Sequence, residues 1–335
     1  LRQGDPDKDG VAGVQPADLF WNRLQRGDYK IPSADIWGLL LLEQISSHPG
    51  QQHSIHWLPS TSEGLLVMTA DQDYAPVEAL QAQAESLPPG AITFLLTDPG
   101  VGAKPDVKIK GKSAPLNGQN AQKLLQRGTD LGAHPSLLGV KFEDQKKAIA
   151  AHARNFHERF ERRAQIVRNH HLVWEGAIKT AQMHAMAGFR MNLDFMASAV
   201  LPYGELGFMT GSALPSRFLT KDGQLVPIYQ QATQLDDHVL LDKEFGYRVH
   251  SIEALIQRSK VITDRAAQFR LPVTINHHPY WWAQTGNAWQ ASLLKIAKNG
   301  NFPVWSAGSW LNFNESRRAV RSGMSSDALI VDAPR

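Results

Sequence analysis

Apolar and polar positions follow two regimes along the chain. Residues 1–60 are polar and turn-rich, interrupted by one helix predicted over Pro32 to Ser47 that carries Ile36, Leu39, Leu40 and Ile45. From residue 64 onward, short apolar runs alternate with helical segments. The run Gly64-Leu65-Leu66-Val67-Met68, bounded by polar residues, has the length of a fully buried strand. The predicted strands are Leu65–Thr69, Ile92–Thr97, Asp130–His134, Gln165–His170, Phe189–Asp194, Val226–Gln231, Val273–His277 and Pro303–Ala307. Among the helices between them, Ile149, Ala153, Phe156 and Phe160 mark a single helix face. A long helix is predicted over Ser251–Phe269, with Ser251 as N-cap and Glu253 in the first turn. Another, over Ala288–Lys298, stops at Asn299-Gly300. Strands alternating with helices predict an α/β fold, a parallel sheet or barrel of βα units. Residues 196–224, rich in Gly, Pro and Ser, read as a long loop over one face.

Composition narrows the picture. With 335 residues, 42% of them apolar, and nine Trp, the chain can bury a sizeable core. A net charge of +3, with dispersed basic residues, gives no footprint for nucleic acid. There is no cysteine, which removes disulfides, thiolate metal sites and a cysteine nucleophile. No run approaches the length of a transmembrane helix. The start, Leu1-Arg2-Gln3-Gly4-Asp5, has neither an initiator Met nor a signal-peptide layout. It reads as part of a longer or processed protein. Residues 1–60 are expected to be a lead-in or the remnant of a further N-terminal domain, 61–325 the main barrel and 326–335 a tail.

The chemistry gathers at the predicted strand ends, where βα folds place their functional groups. Asp71 and Asp73 follow the first strand; His134, His170-His171, Asp194 and His277-His278 end later ones. Two aspartates two residues apart point to the same side of an extended chain. Buried carboxylates are costly unless paired or bound to a cation. Imidazole plus carboxylate is a common catalytic zinc set that leaves a position open for water. Such a metal lowers the pKa of its water to about 7 and polarises an acyl oxygen. A serine hydrolase and a zincin are excluded, because neither Gly-x-Ser-x-Gly nor His-Glu-x-x-His is present. No phosphate-cradling Gly-x-x-x-x-Gly-Lys pattern occurs either.

Four stretches resemble one family. Thr69-Ala70-Asp71-Gln72-Asp73 is similar to the first motif of the polysaccharide deacetylases, also called NodB-homology domains or family 4 carbohydrate esterases. Gly128-Thr129-Asp130-Leu131-Gly132-Ala133-His134 resembles their second motif, Val167-Arg168-Asn169-His170 the Arg-x-His of a divergent branch, and Ile275-Asn276-His277-His278-Pro279 the last. The resemblance spans about residues 64–320. It implies a distorted (β/α) barrel of the polysaccharide deacetylase type, with Asp73 and His134 as metal ligands and Asp71 as general base. Where the family has a second histidine four residues after His134, this chain has Leu138, so the third ligand is assigned to His170 or its neighbour His171. Arg168 takes the place of the arginine that supports the base. His278, or His277 beside it, becomes the general acid. Trp174, Tyr203, Arg217, His277 and Trp281 are expected to bind substrate.

Each role has a plainer counterpart. Asp73 would also serve as a helix N-cap, Asp71 as a salt-bridge partner of Arg168, His134 as a turn residue, and the aromatics as packing. The implied activity is removal of N-acetyl or O-acetyl groups from an amino-sugar polysaccharide by a divalent metal, zinc first, then cobalt, nickel or manganese. The implied location is secreted, periplasmic or at the cell envelope. The rivals are a metal-independent glycoside hydrolase with paired carboxylates and a non-catalytic carbohydrate-binding relative.

Overall fold

The computed structural model describes residues 30–47, 56–73, 75–97, 116, 118–196, 207–208, 211–237, 251–324 and 329–332. Nine parallel strands form its main sheet: β1 (Leu65–Asp71), β2 (Ile92–Leu96), β3 (Asp130–Ala133), β4 (Ile166–Val167), β5 (Met191–Asn192), β6 (Tyr229–Gln230), β7 (Leu235–Asp236), β8 (Pro272–His277) and β9 (Val304–Ser306). Their order is β6-β5-β4-β3-β2-β1-β8-β7, and β9 pairs with the first half of β1.

One continuous stretch joins the two edges of this sheet. Tyr229 and Gln230 pair with Met191 and Asn192 of β5, and Thr233 donates from its backbone to Phe195 O at 2.7 Å. Gln234 then donates to Thr274 O at 2.9 Å, and Leu235 and Asp236 pair with β8. The sheet curls into a barrel of βα units, as the alternation of strands and helices predicts, and into the distorted (β/α) form that the resemblance implies. All eight predicted strands are present, several of them shortened to two residues; the ninth, β7, was not predicted. It has only Leu235 as an apolar residue, amid Thr, Gln and Asp.

Helices cover the barrel: α1 (Ser33–Ser46), α2 (Val77–Glu85), α3 (Gly118–Gln126), α4 (Phe142–Phe160), α5 (Lys179–Met186), α6 (Ile252–Phe269), α7 (Pro279–Trp281), α8 (Asn287–Asn299) and α9 (Ala307–Ala319). A π-helical turn, Trp282–Gly286, links α7 to α8. The Ser251 hydroxyl caps α6 by accepting from Ala254 N at 3.2 Å. Helix α1 is tied to the barrel by Asp35, whose carboxylate accepts from Ser212 Oγ and Ala213 N, both at 2.6 Å. Strands β10 (Arg321–Met324) and β11 (Leu329–Asp332) pair antiparallel, Arg321 opposite Asp332 and Met324 opposite Leu329. Among the described residues, no helix is long and apolar enough to cross a membrane.

Strand parity divides the core in two. Leu66, Met68 and Ala70 of β1 face the helices, with Phe94, Val273 and Ile275. Leu65 and Val67 face the barrel axis, where Leu58, Leu95, Ile166, Met191 and Leu193 meet Ala307, Trp310 and Leu311 of α9. Helix α9 therefore plugs the end at which the strands begin. Gly132 lies on this inner side, where a Cβ would come within 2.5 Å of Leu95 Cδ2 and 2.9 Å of Ile166 O. That close approach leaves room for glycine only.

Candidate active site

The parity that puts Leu65 and Val67 on the axis puts Thr69 and Asp71 there too, above the plug. Asp71 is 3% exposed. It accepts from Arg168 Nη1 at 2.8 Å and from Asn276 Nδ2 at 3.0 Å. Arg168 follows Ile166 by two residues and shares its inward side. It donates also to Asn276 Oδ1 (2.5 Å), Thr69 Oγ1 (3.2 Å), Thr233 Oγ1 (2.8 Å) and Leu193 O (3.1 Å). All five guanidinium N–H groups are thus engaged. Arg168 binds β1, β4, β8 and the closing stretch at one point, and it holds Asp71 in a single orientation.

Asp73 sits just past β1 in a left-handed conformation, φ 47°, which Asp tolerates better than most residues. His134, just past β3, has Nδ1 2.8 Å from Arg168 O. A carbonyl only accepts, so Nδ1 carries a proton, and in the neutral imidazole Nε2 presents a lone pair. That Nε2 lies 3.2 Å from Asp73 Oδ1, and His170 Nε2 lies 3.5 Å from the same oxygen. Asp73 Oδ1 is buried and has no hydrogen-bond donor.

One ligand atom from each of Asp73, His134 and His170 lies within 4.8 Å of the others. A lone pair facing a carboxylate oxygen repels it unless a cation or a proton lies between them. The set fits a divalent cation held by one carboxylate and two imidazoles. His170, not His171, stands in this cluster. Burial opposes ionisation of Asp73, but His134, His170 and His278 outweigh it and hold the carboxyl well below its usual range. Burial likewise opposes charge on His134, and the Asp71 and Asp73 carboxylates reverse that and raise it. His170 is pushed down to about 3, chiefly by burial, which leaves it neutral at pH 7, the form that binds metals.

His278 faces these groups from β8. Its backbone N and its Nδ1 are both bonded to Asp237, at 2.8 and 2.6 Å. Its Nε2 lies 3.7 Å from Asp73 Oδ2 and 4.0 Å from Asp71 Oδ2. Burial disfavours the charged imidazole, but Asp237, with Asp73 and Asp236, pushes it up to about 10. Asp237 was missed with β7. Its segment, Thr233-Gln234-Leu235-Asp236-Asp237, offers one apolar residue ahead of two carboxylates and carries no strand pattern of its own.

A buried network supports the His170 turn from behind. Asp194 accepts from Asn169 N (2.5 Å), Asn169 Nδ2 (3.0 Å) and Asn192 Nδ2 (2.8 Å). His184 of α5 joins Asn169 Oδ1 and Asn192 Nδ2, at 3.0 and 2.9 Å. Burial pushes Asp194 up to about 7 against these donors. Asp194 therefore faces α5 rather than the barrel axis. Asn169 O accepts from Leu172 N, and Asn169 Nδ2 donates to Val173 O, both at 2.9 Å. These bonds hold His171 and Leu172 in successive left-handed conformations, φ 57° and 54°, each costing about 1–2 kcal/mol.

Three residues expected to bind substrate lie elsewhere. Trp174 is fully buried, donates to Ala177 O at 2.7 Å and packs on Phe195, so its ring faces no solvent. His277 shares the outward parity of Val273 and Ile275; it is 0% exposed, and its ring lies 4.6 Å from that of Trp289 on α8. Burial pushes it down to about 3, so it is a neutral core residue. Arg217 is at the far end of the barrel, beside Tyr229 at the start of β6. Trp281 remains on the strand-end side, half-buried in α7 directly after His278, with exposed Tyr280 edge-on to it. Tyr203 lies outside the described residues.

No protein-family model and no curated protein matches the chain. Among solved structures, it is similar to a candidate polysaccharide deacetylase from Mycobacterium smegmatis, with a TM-score of 0.55 and 13% identity over 81% of this chain and 96% of that one. It is also similar to Puue allantoinase, with a TM-score of 0.52 and 10% identity over 78% and 94% of the two chains. At such identities the likeness concerns the fold, which is the barrel of the polysaccharide deacetylase type.

Proposed function

We propose that this chain is a metal-dependent deacetylase that hydrolyses N-acetyl or O-acetyl groups of an amino-sugar polysaccharide. The observation that carries the reading is Asp73 Oδ1, buried without a donor while the Nε2 atoms of His134 and His170 stand 3.2 and 3.5 Å away. These three residues would hold the divalent cation. Zinc suits the donor set best, and cobalt, nickel or manganese accept the same ligands. When bound, the cation polarises the acyl oxygen and brings a water toward a pKa of about 7.

Asp71, oriented by Arg168 and Asn276, takes the proton of the attacking water. The water oxygen bonds to the acyl carbon and the carbon–nitrogen bond breaks. His278, kept protonated by Asp237, gives its Nε2 proton to the departing nitrogen. The products are acetate and a free amine. His278 and Asp71 face each other across 4.0 Å, so acid and base address the same space. Trp281 offers a sugar face a half-buried ring beside that acid. An extracytoplasmic location, secreted, periplasmic or envelope-bound, accompanies the polysaccharide substrate in this reading.

The test is acetate release from N-acetylated chitooligosaccharides and peptidoglycan fragments, before and after chelation and metal reloading. Chelation should abolish turnover and reloading restore it. Asp73→Ala should lower turnover on the order of a thousandfold and lose the metal in elemental analysis. Chelator-insensitive release of reducing ends would replace this reading with a glycoside hydrolase. Sugar binding without acetate release from metal-loaded protein would replace it with a non-catalytic relative.

A further inference from the structure

At the end of the barrel where the strands begin, a cavity of about 280 Å³ opens beside the plug. Trp57, Leu214 and Tyr229 wall it, and Arg217, Arg317 and Arg318 border it. Tyr229 begins β6, and the Trp57 indole donates to Arg270 O just ahead of β8. Arg317 and Arg318 lie in the last turn of α9. The cavity is therefore at the opposite pole from Asp73 and His278.

The charge there is unbalanced. Among the described residues, no carboxylate pairs with any of the three arginines, and Glu315, on the same helix, is taken by Arg190. The C-terminal end of a helix dipole accounts for cations at positions 317 and 318. It does not account for Arg217, which comes from a different segment. Arg217 is held in place: its Nε donates to Val226 O at 3.1 Å, and its guanidinium lies over Tyr229 at 5.7 Å. Arg318 lies over the same ring at 5.9 Å. Both Nη groups of Arg217 are left without a protein partner among the described residues. Burial and the charge of Arg318 lower Arg317 against the pull of Tyr229, as expected where cations crowd without an anion.

We propose that this pocket binds an oxyanion, carboxylate or phosphate, carried on a body the size of one sugar ring. A guanidinium fork matches both oxyanions, and a pre-oriented fork loses little freedom on binding. Trp57, with Leu214, gives a ring an apolar wall. The volume lies at the lower end of small-ligand pockets, which limits the ligand to about one monosaccharide. The pocket stands independently of the deacetylase reading.

The experiment is calorimetric titration of the full chain with glucose 6-phosphate, glucuronate, inorganic phosphate and glucose at fixed chloride. The same titrations are made on Arg217→Gln, Arg318→Gln and Asp73→Asn. Glucose 6-phosphate or glucuronate should bind saturably at one site, and whichever binds tighter identifies the oxyanion. Glucose should not bind, and each arginine variant should weaken binding at least about tenfold. Asp73→Asn should leave it unchanged, which separates this pocket from the metal site. Arg318 is exposed, so Arg318→Gln keeps the fold and reads the pocket alone. The proposal is overturned if neither sugar anion saturates up to about 10 mM, or if the arginine variants bind like the parent. It is equally overturned if Asp73→Asn abolishes binding, or if inorganic phosphate binds as tightly as both sugar anions.

Discussion

At the end where the strands begin, the inward positions Leu65, Val67, Leu95 and Met191 meet Trp310 and Leu311 in an apolar plug. At the end where they finish, the same inward parity carries Thr69, Asp71, Arg168 and Asn276, joined by hydrogen bonds of 2.5–3.2 Å. One strand phase therefore serves both ends, and only the residue type changes along it. The plug supplies hydrophobic burial that needs no particular partner. The polar end is stable only while every member is satisfied. Stability and chemistry are thus separated along the barrel axis, and each end can be perturbed with little effect on the other.

The largest expected effect is at the plug. Trp310 is fully buried, stacks on Phe313 and donates to Gln231 Oε1 at 2.8 Å. Trp310→Ala should cost about 3–5 kcal/mol in denaturant unfolding. Turnover measured where the variant is still folded should be close to the parent's. A turnover loss as large as the stability loss would erase the distinction between the ends.

The converse variant is Asp237→Asn. It removes the carboxylate that bonds His278 Nδ1 at 2.6 Å, and turnover should fall on the order of a hundredfold. The sign of the pH effect is set by His278. Its pKa of about 10 falls toward the ordinary 6.5, so the proton-donating form is lost at lower pH. The alkaline limb of kcat/KM should move to lower pH; an unmoved limb would remove His278 from the role of acid.

The smallest effect sharpens the comparison inside one dipeptide. His277, down at about 3, is neutral in the fold and takes up a proton on unfolding once the pH drops below 6.5. Its contribution to stability is complete above 6.5 and is lost as pH falls toward 3. His277→Leu should therefore flatten the acid limb of stability against pH by one proton, about 1.4 kcal/mol per pH unit in that window. An unchanged slope would mean that His277 is not buried neutral.

The legible part of the sequence was its long apolar runs and the residues fixed to their ends. The run Leu65–Met68 is all apolar, so β1 and the aspartates behind it could be read directly. Strand β7 was not readable, because it is two residues long with one apolar residue, and its place is fixed by pairing with β8 rather than by its own residue types. Asp237 was lost with it, although it bonds His278 and, against burial, favours the charged imidazole. The choice between His277 and His278 was readable in principle, since Val273, Ile275 and His277 share parity on the helix-facing side of β8. Trp174 and Arg217 were misplaced for another reason. Chain position near a strand end does not say which way a loop turns, and these loops carry one residue into the core and the other to the far pole.

Residues 229–237 have a consequence of their own. That stretch closes the seam between β5 and β8 and then ends in the carboxylate that bonds His278. A rupture confined to the seam withdraws that carboxylate while the remaining strands still stand. If the proposed activity holds, heat should extinguish turnover before it melts the helices, and catalytic lifetime would measure how long the ring stays shut.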